Sequence, residues 1–554
     1  MDSYHQIHYS IPYPNPLADA VVMIGYLSPG ARSFLIRPKW AGVYLFTLWT
    51  ESKLNKFIWP VMFAMSQRVV ESERCIPTDV LIGPGCPPHR IVFDLADIPE
   101  SYQSCKQWNW TVTPISPDIH SNVEMPPLRD IIQSKFPTIA HGIIKVALST
   151  QVDPTTRKRI TFWSCHQPYR TFAFRPKVNK ICEDALGWYS EQVEMFQPSL
   201  IWGMGDTAYS DGVPSTDFVD SFFYSPKEWH KDPLGRAELR EHYRRMYLYH
   251  WSFSSFQQVA RNFAHMLLWD DHEIRDGWGS HDSDFSTENR RIMFAIGRSV
   301  ASEFVFPTGP RLKTRYESDA QMAVAIPPFA LFGFDTRSSR NYVEHVVISD
   351  EQKTSFEEFL LGTVVPNPQI KHLILSTSLP LVYLRESLEI VGSRAKTSIT
   401  DDIRDSWASP NNQRTMEWLF SRVSGLQKLR PDINCINLGG DIHIANAFKL
   451  KPAGFTNPLF QVTSSALTNR THVALWLRTF ISVGDVTHFS DQRGTVFRIW
   501  PDIDRPNFLN IEADLQYLVI TLKVFDEPDR RLIFSNGNLI ESKKLIGING
   551  TMRI

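Results

Sequence analysis

Three short segments, far apart in the chain, each run from an apolar stretch into acids, histidines or a tyrosine. They are Ser199 to Gly212 (SLIWGMGDTAYSDG), Ala264 to Gly279 (AHMLLWDDHEIRDGWG) and Ile433 to Ala445 (INCINLGGDIHIA). Carboxylates, imidazoles and a phenol are the side chains that hold divalent and trivalent cations, and paired cations activate water for hydrolysis. Such residues help one another only if the chain brings them to one place. In an open α/β sheet that place is the carboxyl edge of the strands. The pattern therefore predicts three strands that deliver their acids to one edge, as in a metal-assisted hydrolase.

The three segments differ in specificity. Gly205-Asp206-Thr207-Ala208-Tyr209 is weak alone, because Gly-Asp is also an ordinary turn. Trp269-Asp270-Asp271-His272-Glu273 is stronger, since four adjacent ionisable groups after AHMLLW are costly on a buried edge without a metal or partners to balance them. Asp441 and His443 stand two apart at a strand end and can point the same way.

The elements around them divide in two. Before residue 150 the chain reads as short strands between Pro, Gly and charged turns. The runs are Ala20 to Leu27, Ser33 to Ile36, Gly42 to Trp49, Lys56 to Ala64, Arg90 to Leu95, Trp108 to Thr113 and Gly142 to Leu148. They predict an antiparallel β-sandwich over residues 1–150 with no visible catalytic group. From Thr161 the texture turns to strand–helix alternation. A helix is predicted over Gly235 to His250, and strands over Ala264 to Leu268, Phe329 to Phe334, His372 to Leu375 and Ile433 to Leu438. Met416 to Leu429 reads as a helix, and Tyr517 to Phe525 as a late strand before the hairpin-like turn DEPDRR. The catalytic part is expected over residues 151–554.

Composition narrows the function classes. With 58 basic and 59 acidic residues in 554, the net charge is −1, and no global basic field exists to hold nucleic acid or an anionic membrane. The six cysteines (Cys75, Cys86, Cys105, Cys165, Cys182 and Cys435) form no CxxC and suggest neither a disulfide scaffold nor a zinc ribbon. N-x-[ST] sequons start at Asn109, Asn469 and Asn549. No stretch is apolar enough to span a bilayer, and neither a signal peptide nor a twin-arginine signal is visible, so a cytoplasmic location is expected. Oligomeric state leaves no mark in the sequence.

The ordered motifs GDxxY, then an acid-His-acid element, then G-[HD]-x-H resemble those of the calcineurin-like metallophosphatases. The variants WDDHE and GGDIHIA are similar to the PhoD-like alkaline phosphatase branch, which is related to the purple acid phosphatases. Ile160 to Gln167 (ITFWSCHQ), Phe334-Asp335-Thr336-Arg337, Thr377 to Leu381 and Asp405-Ser406-Trp407 match further positions of that branch. The resemblance implies an N-terminal antiparallel β-sandwich followed by a four-layered α/β/β/α catalytic domain. It implies phosphoester hydrolysis by metal-activated water on small phosphate mono- or diesters. A phospholipase D-like phosphodiesterase and a non-catalytic metal-binding relative are the alternatives.

The resemblance also assigns residues. Cys165 and Tyr209 would hold Fe³⁺, which suits thiolate and phenolate, with Asp206 bridging to a second metal. Asp271, Asp441 and His443 complete the ligands. Carboxylates replace an amide and an imidazole, and STSLP stands where an imidazole ligand is usual. The second cation is therefore expected to be hard: Ca²⁺ first, Mg²⁺ or Mn²⁺ otherwise. His272 is the general acid and phosphate donor, or else a structural partner of Asp270. Arg337 is a candidate phosphate clamp, or else a salt-bridge partner fixing Asp335. His166 is placed beside substrate or behind the ligands.

Overall fold

The computed structural model describes residues 20–28, 30–38, 42–51, 56–65, 88–103, 105, 107–116, 138–145, 156–168, 180–211, 216–309, 311, 319–382, 404–468, 486–489, 494–535 and 538–544. Cys75, Cys86 and the sequons at Asn469 and Asn549 lie outside them. The strands, in chain order, are β1 (Ala20–Tyr26), β2 (Ala31–Pro38), β3 (Gly42–Glu51), β4 (Lys56–Met65), β5 (His89–Asp94), β6 (Gln107–Ser116) and β7 (Ala140–Lys145). They continue with β8 (Lys158–Trp163), β9 (Leu200–Met204), β10 (His265–Leu268), β11 (Met322–Ile326), β12 (Phe329–Gly333), β13 (His372–Ser376) and β14 (Asn434–Gly439). The last are β15 (Ala445–Pro452), β16 (Leu459–Thr463), β17 (Val486–Phe489), β18 (Gly494–Ile503), β19 (Asn507–Ala513), β20 (Tyr517–Val524), β21 (Arg530–Ser535) and β22 (Asn538–Lys544).

Among the described residues these strands form three sheets. A ten-stranded sheet has the order β22-β21-β20-β19-β8-β9-β10-β1-β2-β5, an eight-stranded sheet β11-β12-β13-β14-β16-β15-β18-β17, and a four-stranded sheet β4-β3-β6-β7. In the first, β8, β9 and β10 run parallel. In the second, β12, β13, β14 and β16 do. Parallel strands buried on both faces read as continuous apolar runs, which is why segments such as Leu200–Met204 (LIWGM) lack polar alternation.

The two-residue period of each strand sorts its side chains to opposite faces. Trp202, Met204, Met266 and Leu268 share one core with Phe329, Leu331, Ile374, Ile436 and Leu438 of the eight-stranded sheet. Their sequence neighbours Ile201 and Leu267 turn the other way, toward Leu239, Tyr243 and Met246 of the helix Pro233–Trp251 and Met293 and Val300 of the helix Glu288–Phe304. On the eight-stranded sheet, Phe332, Leu373, Leu375 and Cys435 face Phe356 of the helix Asp350–Phe359 and Met416, Leu419 and Val423 of the helix Gln413–Leu429.

Each of the seven early strands expected before residue 150 overlaps an observed strand, but they divide between two sheets. β3, β4, β6 and β7 form the small sheet, which packs on β2 and β5 through Phe34–Phe46 at 4.7 Å and Phe93–Trp108 at 5.1 Å between ring centroids. β1, β2 and β5 extend the large sheet, where β1 lies parallel to β10 with Gly25 opposite His265. The strand order thus crosses the boundary expected at residue 150. At the other end, β19 pairs antiparallel with β8, so the C-terminal hairpins are part of the same sheet rather than an appendage. The turn DEPDRR joins β20 to β21 as expected. Among the described residues, no helix is long and apolar enough to cross a membrane.

Candidate metal centre

Every candidate donor follows the carboxyl end of a parallel strand. Cys165 follows β8, Asp206 and Tyr209 follow β9, Asp270, Asp271 and His272 follow β10, and Asp441 and His443 follow β14. Arg337 follows β12 and Ser378 follows β13. The turns are tight. Cys165, Asp206, Ser378, Asp441 and His443 all have left-handed backbones, with φ of 56°, 53°, 51°, 65° and 52°. This region is rarely adopted by residues other than glycine and costs on the order of 1 kcal/mol or more each. Five in one cluster mark a place where side-chain direction outweighs backbone comfort.

Two glycines let the turns close. Gly205 has φ of +113°, and a Cβ there would lie 2.9 Å from Asp270 Cβ. A Cβ on Gly440 would lie 2.6 Å from Ser164 Cβ, so the turn before Asp441 packs directly on the turn before Cys165.

Among the described residues three groups of donors share Asp206, one of them formed with Asp271 and His272. Cys165, Asp206 and His443 offer atoms within 4.8 Å of one another, and so do Asp206, Asp270, Asp271 and Asp441. In the group with Cys165 the Tyr209 hydroxyl donates to Asp206 Oδ2 at 3.2 Å and meets His443 Nε2 at 3.0 Å. The Cys165 thiol lies 3.6 Å from Asp206 Oδ2 and 3.0 Å from the Ser465 hydroxyl. Asp206 Oδ1, although buried, has no hydrogen-bond partner, whereas Asp271 Oδ1 is ion-paired with Arg337 at 3.3 Å. Buried oxygens left without protons to accept are costly unless a cation takes them. The residues present therefore fit a pair of metal ions.

Proton affinities point the same way. Burial pushes the Cys165 thiol well up, and the Asp206 and Asp441 carboxylates add to it. The Tyr209 phenol is pushed up by burial and then by Asp206. Burial also raises Asp206, with Asp271 and Asp270 adding repulsion against the opposing pull of His272. Burial lifts Asp270 to about 7 despite Arg337, and Glu273 to about 8. Asp271 is the exception: Arg337, His272 and the Gly277 N–H outweigh burial and hold it below the usual range. So much concentrated negative charge is an electrostatic seat for cations.

His272 stands at the open side, its side chain 17% exposed. Its Nδ1 meets both oxygens of Asp211, at 2.8 and 3.0 Å, and its ring lies 4.1 Å from that of Tyr209. Burial alone would lower its proton affinity, but Asp211, Asp271 and Asp206 reverse the sign and hold it well above the ordinary histidine value. Its partner is thus Asp211, not Asp270. Glu273 accepts from the Thr207 N–H at 2.6 Å and hydroxyl at 2.8 Å, and from the Asp270 N–H at 2.8 Å. One carboxylate thereby ties the turn after β9 to the turn after β10.

Two candidate substrate contacts are fully buried. Arg337 is fully buried, and its guanidinium is engaged by Asp270, by Asp405 at 2.8 Å, by the Trp278 carbonyl at 2.8 Å and by Asp271 at 3.3 Å. Three carboxylates balance the charge of this buried guanidinium, and Asp335 touches only its backbone N–H. His166 is fully buried behind the Cys165 turn, stacked at 4.7 Å on Phe256 with Nε2 on the His250 carbonyl at 2.7 Å. Burial lowers its proton affinity to about 4, which suits a neutral prop rather than a substrate contact. Glu273 and Asp405 fall within motifs that carry the resemblance, whereas Asp211 and Ser465 have no role read from the sequence. Asp211 lies in the same quoted segment as Asp206, and its even spacing from Tyr209 was the available signal.

Residues 178–306 match the profile of the PhoD-like phosphatases. Over this segment the chain is similar to the PhoD-like phosphatases. The segment carries Asp206, Tyr209, Asp211 and Asp270 to Glu273, whereas Cys165, Arg337, Asp441 and His443 fall outside it. A solved structure described as that of PhoD superposes with a TM-score of 0.56 at 11% identity, covering 95% of this chain and 92% of that one, which shows a shared fold. Purple acid phosphatase PPD1 from yellow lupin (Lupinus luteus) seeds aligns with a TM-score of 0.48 at 11% identity over 94% of this chain and 75% of its own. A dimetal phosphatase from Danio rerio aligns at 0.38 and 10% identity over 68% and 99%. No curated protein matches the chain. The PhoD-like profile and the donor clusters together support a metallophosphatase.

Proposed function

We propose that the chain hydrolyses small phosphate esters at a two-metal centre built at the carboxyl ends of β8, β9, β10 and β14. The observation that carries the reading is the sharing of Asp206 by a Cys165–Tyr209–His443 group and an all-carboxylate group with Asp271 and Asp441. The first group, with sulfur, phenol and imidazole, suits Fe³⁺. The second, oxygen only, suits Ca²⁺, or Mg²⁺ or Mn²⁺. When bound, such a pair polarises phosphoryl oxygens and makes water nucleophilic near neutral pH.

The chain's own residues do the rest. Asp211 accepts from His272 Nδ1–H and favours the imidazolium, so that Nε2 also carries a proton, which it delivers to the leaving oxygen. Arg337 fixes Asp270 and Asp271 and keeps the Asp405 loop against them. Glu273 fixes the spacing of the Asp206 and Asp270 turns. We propose residues 151–554 as the catalytic part and a four-layered α/β/β/α arrangement for it, supported by the three cores around the two large sheets. The strands before residue 150 would form a β-sandwich fused to it.

The test is turnover of aryl and alkyl phosphate mono- and diesters by wild type and His272→Ala. Loss confined to alkyl leaving groups supports proton delivery by His272. Equal loss on aryl and alkyl esters would assign it to phosphate or the metals. Preference for diesters with lipid headgroups would favour the phospholipase D-like alternative.

A further inference from the structure

The turn after β13 contributes a group that the reading above leaves unused. Ser378 is fully buried, its Oγ has no hydrogen-bond partner, and its φ is 51°. The turn is locked from three sides. The Thr377 hydroxyl donates to the Leu379 carbonyl at 2.6 Å, the Thr377 N–H donates to the Leu438 carbonyl at 3.1 Å, and the Gly440 N–H donates to the Ser378 carbonyl. Gly439 lies so close to Pro380 that an added Cβ would meet Pro380 N at 2.7 Å. A hydroxyl held in a strained, rigid turn with nothing to bond is a donor waiting for a partner.

Its neighbours say which partner. A Cβ on Gly205, just before Asp206, would meet Ser378 Oγ at 3.4 Å and Asp270 Cβ at 2.9 Å. A Cβ on Gly440, just before Asp441, would meet the Ser378 carbonyl at 3.5 Å. Ser378 therefore sits between the turns of Asp206 and Asp441, beside Asp270, against the four-carboxylate group. Of those acids, Asp270 is taken up by Arg337. We propose that Ser378 Oγ is an oxygen ligand of the second cation, completing a donor set that contains no nitrogen or sulfur and so favours a hard divalent ion. This rests on the two-metal reading.

The test titrates Ca²⁺ calorimetrically into iron-loaded full-length protein, with iron content measured in each sample. Ser378→Ala should bind Ca²⁺ about tenfold to a hundredfold more weakly while keeping its iron. Ser378→Cys, nearly isosteric, should lose Ca²⁺ affinity and gain Cd²⁺ affinity, because thiolate prefers a soft ion. Wild-type Ca²⁺ affinity in the alanine variant, or an unchanged Cd²⁺ to Ca²⁺ ratio in the cysteine variant, would overturn the assignment. If the alanine variant fails to fold, the cysteine ratio decides alone. Wild type that binds no Ca²⁺, Mg²⁺ or Mn²⁺ would instead overturn the two-metal reading itself.

Discussion

Asp211→Asn isolates the proton-delivery step from the metals. Asp211 lies outside the donor groups that contain Asp206, yet it holds His272 Nδ1 through two contacts of 2.8 and 3.0 Å. The pair is only 17% and 18% exposed, so solvent screens it partly. A hydrogen bond to a charged partner contributes roughly 1.5–3 kcal/mol; taking about 2 kcal/mol gives a ~30-fold loss in kcat on alkyl phosphates. Nitrophenyl esters, whose leaving group needs no proton, should lose far less. The pH profile should move too. Asp211 is the largest of the charges that hold His272 above its ordinary value, so its removal shifts the basic limb of kcat to lower pH. In metal-free protein the same contact stabilises the fold fully below the unfolded histidine pKa and is lost as pH rises through the folded one. The variant should therefore unfold more readily than wild type at acid pH and converge with it at alkaline pH. An equal loss on both ester types, or an unmoved basic limb, would refute the reasoning.

Further outcomes follow from the same geometry. Cys165→Ser should lose most of the iron, and iodoacetamide should modify wild-type Cys165 slowly until a chelator is added; normal iron content in the variant would return the thiol to a packing role. Tyr209→Phe should bleach any visible ligand-to-metal band of the native protein, measured by absorbance, without changing its circular dichroism. Because Cys165, Tyr209 and Asp206 all hold their protons more tightly than usual without metal, iron uptake should release protons and tighten as pH rises, read by calorimetry in buffers of different ionisation enthalpy. Gly440→Ala should push a Cβ into Ser164 and part the Cys165 and Asp441 turns, lowering the content of both metals by elemental analysis.

The strands and the donor positions were legible because each has a local cause. Apolar runs end at Gly205, Trp269 and Gly440, and the chemistry starts at the next residue. What stayed hidden was non-local. Nothing in the pattern of Ala20–Tyr26 says that it will lie beside His265, some 240 residues on, since parallel pairing at one register point leaves no periodic mark. Arg337 in FDTR reads the same whether it meets a phosphate or three carboxylates; only the position of Asp405 after a long connection decides. His166 follows Cys165 directly, and the left-handed backbone of Cys165 sends the two side chains apart, one into the donor group and one onto Phe256.

The central claim is that one carboxylate, Asp206, joins two different metal sites in a phosphoesterase. Metal stoichiometry of purified Asp206→Asn beside wild type tests it most directly. The account expects one iron and one hard divalent cation per wild-type chain, and depletion of both in the variant together with its turnover. A wild type that hydrolyses phosphate esters without bound metal, or an Asp206 variant that keeps both ions, would contradict it.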